Sequence, residues 1–106
     1  MNPFDMLKNI QNIQSAMQTA QARIQATTAE GQSGGGLVKV TMDGTFKIKQ
    51  LFIDPSLTEP EDIEMIGDLV KAAANLAHEQ IAAMIQKEMS AASGGLPIPN
   101  LFGQGT

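Results

Sequence analysis

Residues 31–57 read GQSGGGLVKVTMDGTFKIKQLFIDPSL, and the alternation inside them decides the fold. Val38, Val40 and Met42 fall on one face of an extended segment, with Lys39 and Thr41 on the other. Asp43-Gly44 is a turn signal. After it, Phe46 and Ile48 share one face and Lys47 and Lys49 the other. Ile53-Asp54-Pro55 ends the second run, because proline cannot donate to a ladder. The segment is therefore a β-hairpin, and face matching tests its loop. A two-residue loop at Asp43-Gly44 would set Val40 against Lys47. A three-residue loop sets the valines against Phe46 and Ile48. The pattern predicts the three-residue loop, with Gly44 left-handed beside a bulge. It also gathers Lys39, Lys47 and Lys49 on the outer face. Past Gln50 the apolar phase moves to Leu51 and Ile53, which calls for a second bulge or for coverage by a partner chain.

Helical patterns flank the hairpin. Asn2 suits an N-cap, Pro3 the first helical position and Asp5 the positive end of the helix dipole. Met6, Ile10, Ile13, Met17, Ala20 and Ile24 then recur at spacings of four and three, an a/d seam of nearly three heptads. Phe4 and Leu7 widen it at one end. The pattern fits a core-facing helix and a seam shared between subunits alike; its narrowness favours the shared helix. Gln25–Glu30, QATTAE, reads as a short edge strand or as a continuation of the helix, and the two threonines favour the strand. Downstream, Thr58 and Glu61 have capping-box spacing, and Glu59, Asp62 and Glu64 add negative charge to the same helix end. A long helix comes next. Its apolar stripe is Ile63, Ile66, Leu69, Val70, Ala73, Leu76, Ala77, Ile81, Met84 and Ile85, and its small residues permit close packing of a helix or the sheet. Gly94 and Gly95 end it. The last residues, LPIPNLFGQGT, are expected to be a disordered tail, with Leu101 and Phe102 available to dock on some surface.

A chain of 106 residues is one domain. A domain this small buries only about 60–65% of its unfolded surface, so a partner chain over an apolar face would help it. No cysteine is present, which excludes disulfides and thiolate metal sites. The opening Met1-Asn2-Pro3-Phe4-Asp5 is acidic where a secretory leader is basic, and no apolar run approaches a membrane span. A cytoplasmic location without membrane contact is expected. The formal charge of −4 argues by itself against a general polyanion binder.

One enzymatic motif is formally present. Gly31-Gln32-Ser33-Gly34-Gly35 matches G-x-S-x-G, but that elbow needs a strand before it and a helix after it, and here the next element is a strand. The glycines read as a connection between strands that supplies positive φ. A phosphate cradle fails likewise, for it opens onto a helix. His78, the sole histidine, has no converging partner, and the acidic cluster compensates a helix dipole. No catalytic residue, metal ligand or cofactor is assigned. Four Phe without Trp or Tyr make no stacking platform for single strands.

The segment GQSGGGLVKVTMDG, the IDPSL of residues 53–57 and the DLVKAAANLA of residues 68–77 resemble the YbaB/EbfC family of bacterial nucleoid-associated proteins. The resemblance implies an α+β fold: a long N-terminal helix, a three-stranded antiparallel meander and a long C-terminal helix, paired as a tweezer-like homodimer with strands at its core. It implies one domain over residues 1–93 with a tail over 94–106. It further implies non-enzymatic binding of double-stranded DNA in the nucleoid, with a role in nucleoid organisation or gene regulation. The basic residues available are Lys8, Arg23, Lys71 and Lys87 on helices and Lys39, Lys47 and Lys49 on the sheet face. This chain departs from the family's pattern where the cations matter. Asn12–Ala22 has no lysine, and Glu79 and Gln80 stand where members can carry an arginine pair. Each phosphate contact that is missing takes about 0.9 from the salt slope of affinity. The alternative is a dimeric protein-interaction module with weak or no DNA binding, motivated by the acidic balance, the Met- and Gln-rich helices and the apolar Leu96–Phe102.

Overall fold

Asn2 opens the first helix as its residue type suggests: its side chain accepts the Asp5 N–H at 2.8 Å. The structure, a computed structural model, describes residues 2–94. Helix α1 spans Pro3–Ala26, with Asp5 in its first turn and Arg23 in its last, each matched to the helix dipole. It stops at Thr27, which is extended and whose hydroxyl donates to the Arg23 carbonyl at 2.6 Å. Three strands come next, β1 Thr28–Ser33, β2 Val38–Asp43 and β3 Ile48–Ile53, and then helix α2 over Asp62–Ala92. The sheet is antiparallel in the order β1-β2-β3. Helix α2 lies across β1 and β2 and scarcely touches β3.

The core sits between α2 and the centre of the sheet. Val38, Val40 and Met42 of β2 meet Ala73, Ala77, Ile81 and Ile85 of α2, with Ile24 of α1 closing one end. The alanines matter because β1 runs close beneath them, and Gly31 is the residue that allows it. The first strand accordingly starts and ends later than QATTAE suggests. Residues 31–33 belong to β1, and the turn is confined to 34–37. Gly34, Gly35 and Gly36 all have φ between 62° and 96°, a left-handed run that side chains would resist.

The hairpin has the loop length that face matching predicts. Asp43 N–H donates to the Lys47 carbonyl at 2.9 Å and Phe46 N–H to the Asp43 carbonyl at 3.0 Å, leaving Gly44, Thr45 and Phe46 as the loop. The left-handed residue, however, is Phe46, with φ 64°, and not Gly44. Gly44 is required for another reason: the turn abuts α1, and a Cβ there would overlap the Ile24 carbonyl. The partners of the valines also differ from expectation. Val40 pairs with Leu51 and Val38 with Ile53, while Met42 pairs with Ile48. Lys49 is the extra residue between the Thr41–Gln50 and Met42–Ile48 pairs. A bulge at Lys49 thus explains the shift of apolar phase, and it puts Ile48, Leu51 and Ile53 on the valine face.

Two further expectations are corrected. The start of α2 is shifted by one residue from the Thr58/Glu61 box: the Asp62 carboxylate accepts the Glu59 N–H at 3.3 Å, and Glu61 makes no side-chain cap. The α1 seam is divided. Ala20 and Ile24 are buried and Met17 half-buried, while Met6, Ile10 and Ile13 are exposed. Only the C-terminal half of α1 has α2 and the hairpin turn to pack against. At the other end of α2, Gly94 is left-handed, φ 68°, as a helix-ending glycine should be. The expectations for Gly95 and for the tail, with its docking Leu101 and Phe102, lie outside the described residues.

Candidate nucleic-acid interface

The seven cations occupy three regions. Lys8 is exposed on the N-terminal half of α1, and Arg23 on its last turn. Lys71 and Lys87 are exposed on α2. Sixteen residues separate them, about 24 Å along the axis and a rotation that puts them on nearly opposite flanks. Lys47 and Lys49 stand at the hairpin end, whereas Lys39 is four residues along β2 from Asp43, a rise of about 13 Å. The sheet-face lysines therefore do not meet at one point.

Two cations are already engaged. Arg23 Nη1 is 3.9 Å from Glu88 Oε2, which bridges the ends of the two helices. Lys49 Nζ is 3.7 Å from Asp43 Oδ2. Lys39 Nζ lies 5.6 Å from the centre of the Phe52 ring, a cation–π distance. Glu30, Lys39, Thr41, Gln50 and Phe52 line a shallow cleft on that outer face. Lys8, Lys47, Lys71 and Lys87 form no ion pair among the described residues.

Asp43 organises the hairpin end. One carboxylate oxygen accepts the Thr45 hydroxyl at 2.6 Å, the Thr45 N–H at 2.8 Å and the Lys47 N–H at 3.1 Å. These bonds favour the ionised form, the Thr45 hydroxyl most. Removal from solvent opposes them, and the Lys47 and Thr45 amides and the Lys49 ammonium add to them. The Asp43 carboxyl is held down from 3.8 to about 2. The D-x-T pattern at 43–45 carries this signal in the sequence, as an Asx-type turn. Phe46 completes the end of the sheet: its ring stacks at 4.6 Å on His78 of α2. Ser33 belongs to the opposite end, where its hydroxyl donates to the Leu69 carbonyl at 2.6 Å and ties β1 to α2.

The outer edge of β3 has no strand beside it among the described residues. Ile48 is 53% and Leu51 49% exposed at the β3 margin of the valine face, where α2 does not cover it. The apolar phase shift at Leu51 offered two readings in the sequence, a bulge or coverage by a partner chain, and the bulge at Lys49 is present while Leu51 stays exposed.

The chain matches the model of the YbaB/EbfC DNA-binding family over residues 1–96. A nucleoid-associated protein of Alkaliphilus metalliredigens is 37% identical over 101 residues, covering 95% of this chain and 89% of the relative. One from Nocardia farcinica is 42% identical over 103 residues, with 94% of each chain covered. This chain belongs to the YbaB/EbfC DNA-binding family. The fold is shared with the crystal structure of the uncharacterized protein HP0035 from Helicobacter pylori, at a TM-score of 0.67 and 22% identity, over 82% of this chain and 91% of that one. The family description and the relatives' names point to DNA binding and nucleoid association, not to catalysis. No helix among the described residues is long and apolar enough to cross a membrane.

Proposed function

We propose that this member of the YbaB/EbfC family binds double-stranded DNA as a homodimer in the cytoplasm, organising the nucleoid or regulating genes without performing a reaction. The observation that carries the dimer is the β3 edge. Its backbone donors and acceptors have no strand partner among the described residues, and Ile48 and Leu51 lie exposed beside them, with Ile53 partly buried against the core. A long apolar edge of this kind is an aggregation hazard unless it is covered. A second copy adding its own β3 satisfies the edge and buries those side chains. Dimerisation also doubles every cation on one particle. That matters for a chain of net charge −4, whose attraction to phosphate must come from local positive regions.

Lys8, Lys47, Lys71 and Lys87 are the first candidates for phosphate contact because no carboxylate among the described residues holds them. Arg23 and Lys49 would exchange a carboxylate for a phosphate, and Lys39 serves the outer sheet face. Light scattering and an electrophoretic shift on the same sample test the reading. A dimer that retards duplex DNA at low salt, and less at higher salt, supports it. A Leu51→Lys variant that is monomeric, folded and poor at binding would supply the link between edge and DNA. A folded dimer without any shift at low salt and micromolar concentration overturns it.

The exposed apolar residues Met65 and Leu76 on α2 favour a second reading, a dimeric module that docks proteins. Partners that co-purify after nuclease treatment, and disappear on Leu76→Lys, would support it; partners removed by the nuclease return the case to DNA.

A further inference from the structure

The N-terminal half of α1 carries an apolar stripe that nothing in the described fold covers. Phe4 is 83% exposed, and Met6, Leu7, Ile10 and Ile13 are exposed beside it. A single exposed leucine is ordinary, but five large apolar side chains within three turns form a patch that calls for an occupant. Asp5 and Lys8 are the only charges between residues 2 and 22, so covering the stripe desolvates little charge.

Two observations select the occupant. The first is where α2 ends. Ala91, Ala92, Ser93 and Gly94 line one cleft together with Asn9, Asn12 and Ile13, so the chain leaves α2 beside the stripe. The second is the sequence after Gly94: GLPIPNLFGQGT, with Leu96, Ile98, Leu101 and Phe102 and no charged residue. From Ile13 to Phe4 is about 14 Å of helix. A stretch of about seven extended residues reaches about 23 Å, so Leu96–Phe102 can span the whole stripe.

A second copy fits less well. The exposed stripe covers about one and a half heptads, where a coiled coil needs about three to four. A stable interface between two chains takes roughly 20–30 residues a side, about 800 Å² each, whereas the stripe offers ten residues of one helix. A tethered segment does not face that threshold, because its effective concentration is in the millimolar range.

We propose that Leu96–Phe102 docks in cis on the α1 face of Met6, Leu7, Ile10 and Ile13, with Phe4 at its edge. Lys8 lies about 100° or more from Met6, Leu7, Ile10 and Ile13 and one turn from Phe4, so it borders the contact. The chain has no cysteine, and Gln104→Cys therefore takes a single nitroxide label. In the cis sample, isotope-labelled chains carrying the nitroxide are diluted into excess unlabelled, nitroxide-free chains. In the trans sample, isotope-labelled nitroxide-free chains are mixed with unlabelled chains carrying the nitroxide. Broadening of amides 4–13 in the cis sample alone is the expected result. Broadening in the trans sample alone makes a second copy the donor and overturns the proposal. Broadening in neither leaves the tail off this face and overturns it as well. In the full chain, the double variant Leu101→Asp, Phe102→Asp should speed hydrogen exchange of amides 7–12 about tenfold, as removal of a tethered contact of modest strength would. Unchanged exchange counts against the proposal, and a circular dichroism spectrum and unfolding midpoint like those of the natural chain show that the variant is folded.

Discussion

Gly31 of β1 runs so close beneath α2 that a Cβ at Gly31 would overlap the Ala73 carbonyl oxygen and come within 2.6 Å of the Ala77 nitrogen. Backbone lies on both sides of this contact, so no rotamer change relieves it. Gly31→Ala should destabilise the protein by at least about 2 kcal/mol, the cost of overpacking a rigid contact. Gly67→Ala is the control of opposite sign. Gly67 lies in α2 with open space where its Cβ would go. That substitution should stabilise by about 0.5–1 kcal/mol through helix propensity. Urea unfolding of both variants at one fixed protein concentration checks the pair.

Phe46 gives a prediction that reverses a usual order. It holds φ 64° in the hairpin loop while its ring stacks on His78. Side-chain packing thus keeps a bulky residue in a conformation that costs about 1–2 kcal/mol. Phe46→Ala loses the packing and keeps the strain; Phe46→Gly loses both. The glycine variant should therefore be the more stable of the two by about 1 kcal/mol. Thermal unfolding of the two variants decides it, and an alanine variant equal to or more stable than glycine would show that the backbone relaxes.

These two positions mark the limit of what the sequence discloses. The odd loop length is legible, because cross-strand partners must share a face and only a three-residue loop reconciles Asp43-Gly44 with the flanking pattern. The register beyond it is not. FKIKQLFI carries apolar residues in both phases, and alternation alone cannot say that Lys49 is the residue left out of the ladder. Gly31 and Gly44 look like turn residues, yet each is fixed by a distant helix, the first by α2 and the second by α1. That is also why QATTAE misplaces β1: the reason for the strand's glycine lies in Ala73 and Ala77, far along the chain. The candidate site divides in the same way. Every cation is visible in the sequence, but which of them are engaged depends on packing. Arg23 finds Glu88 only because α1 and α2 end side by side, and Lys49 finds Asp43 only through the bulge.

The carboxylate at the hairpin end makes stability depend on pH. The Asp43 carboxyl sits at about 2 when folded, below its usual 3.8, so the folded state binds the proton less readily than the unfolded one. Its contribution is complete above about 3.8 and fades as pH falls towards 2. Asp54, lowered by its bonds to Ser56, acts with the same sign. The difference in urea midpoint between the natural chain and Asp43→Asn should therefore be greatest near neutral pH and shrink as pH falls from about 4 to about 2. A constant difference over that range would mean that the charge on Asp43 is immaterial to the turn. Thr45→Val, which removes the hydroxyl that contributes most, should raise the Asp43 value in a carboxyl titration followed by NMR.

If the protein grips phosphate through its helices, the Arg23–Glu88 pair restrains that grip. The two groups are 3.9 Å apart, and the Arg23 side chain is 69% exposed, so the pair contributes little to the fold. Glu88→Gln frees the guanidinium and removes one negative charge from each chain. It should tighten duplex binding at low salt and leave the unfolding midpoint nearly unchanged. Lys71→Gln and Lys87→Gln work in the other direction. Removing one phosphate contact lowers the slope of log affinity against log salt by about 0.9, so one substitution in a dimer that uses both copies lowers it by about 1.8. Salt titrations of the three variants separate the helices from the sheet. A slope that Lys71→Gln and Lys87→Gln leave unaltered, but that falls for Lys47→Gln, would move the contact to the hairpin end, where Lys47 has no carboxylate partner among the described residues and Lys49 would have to leave Asp43.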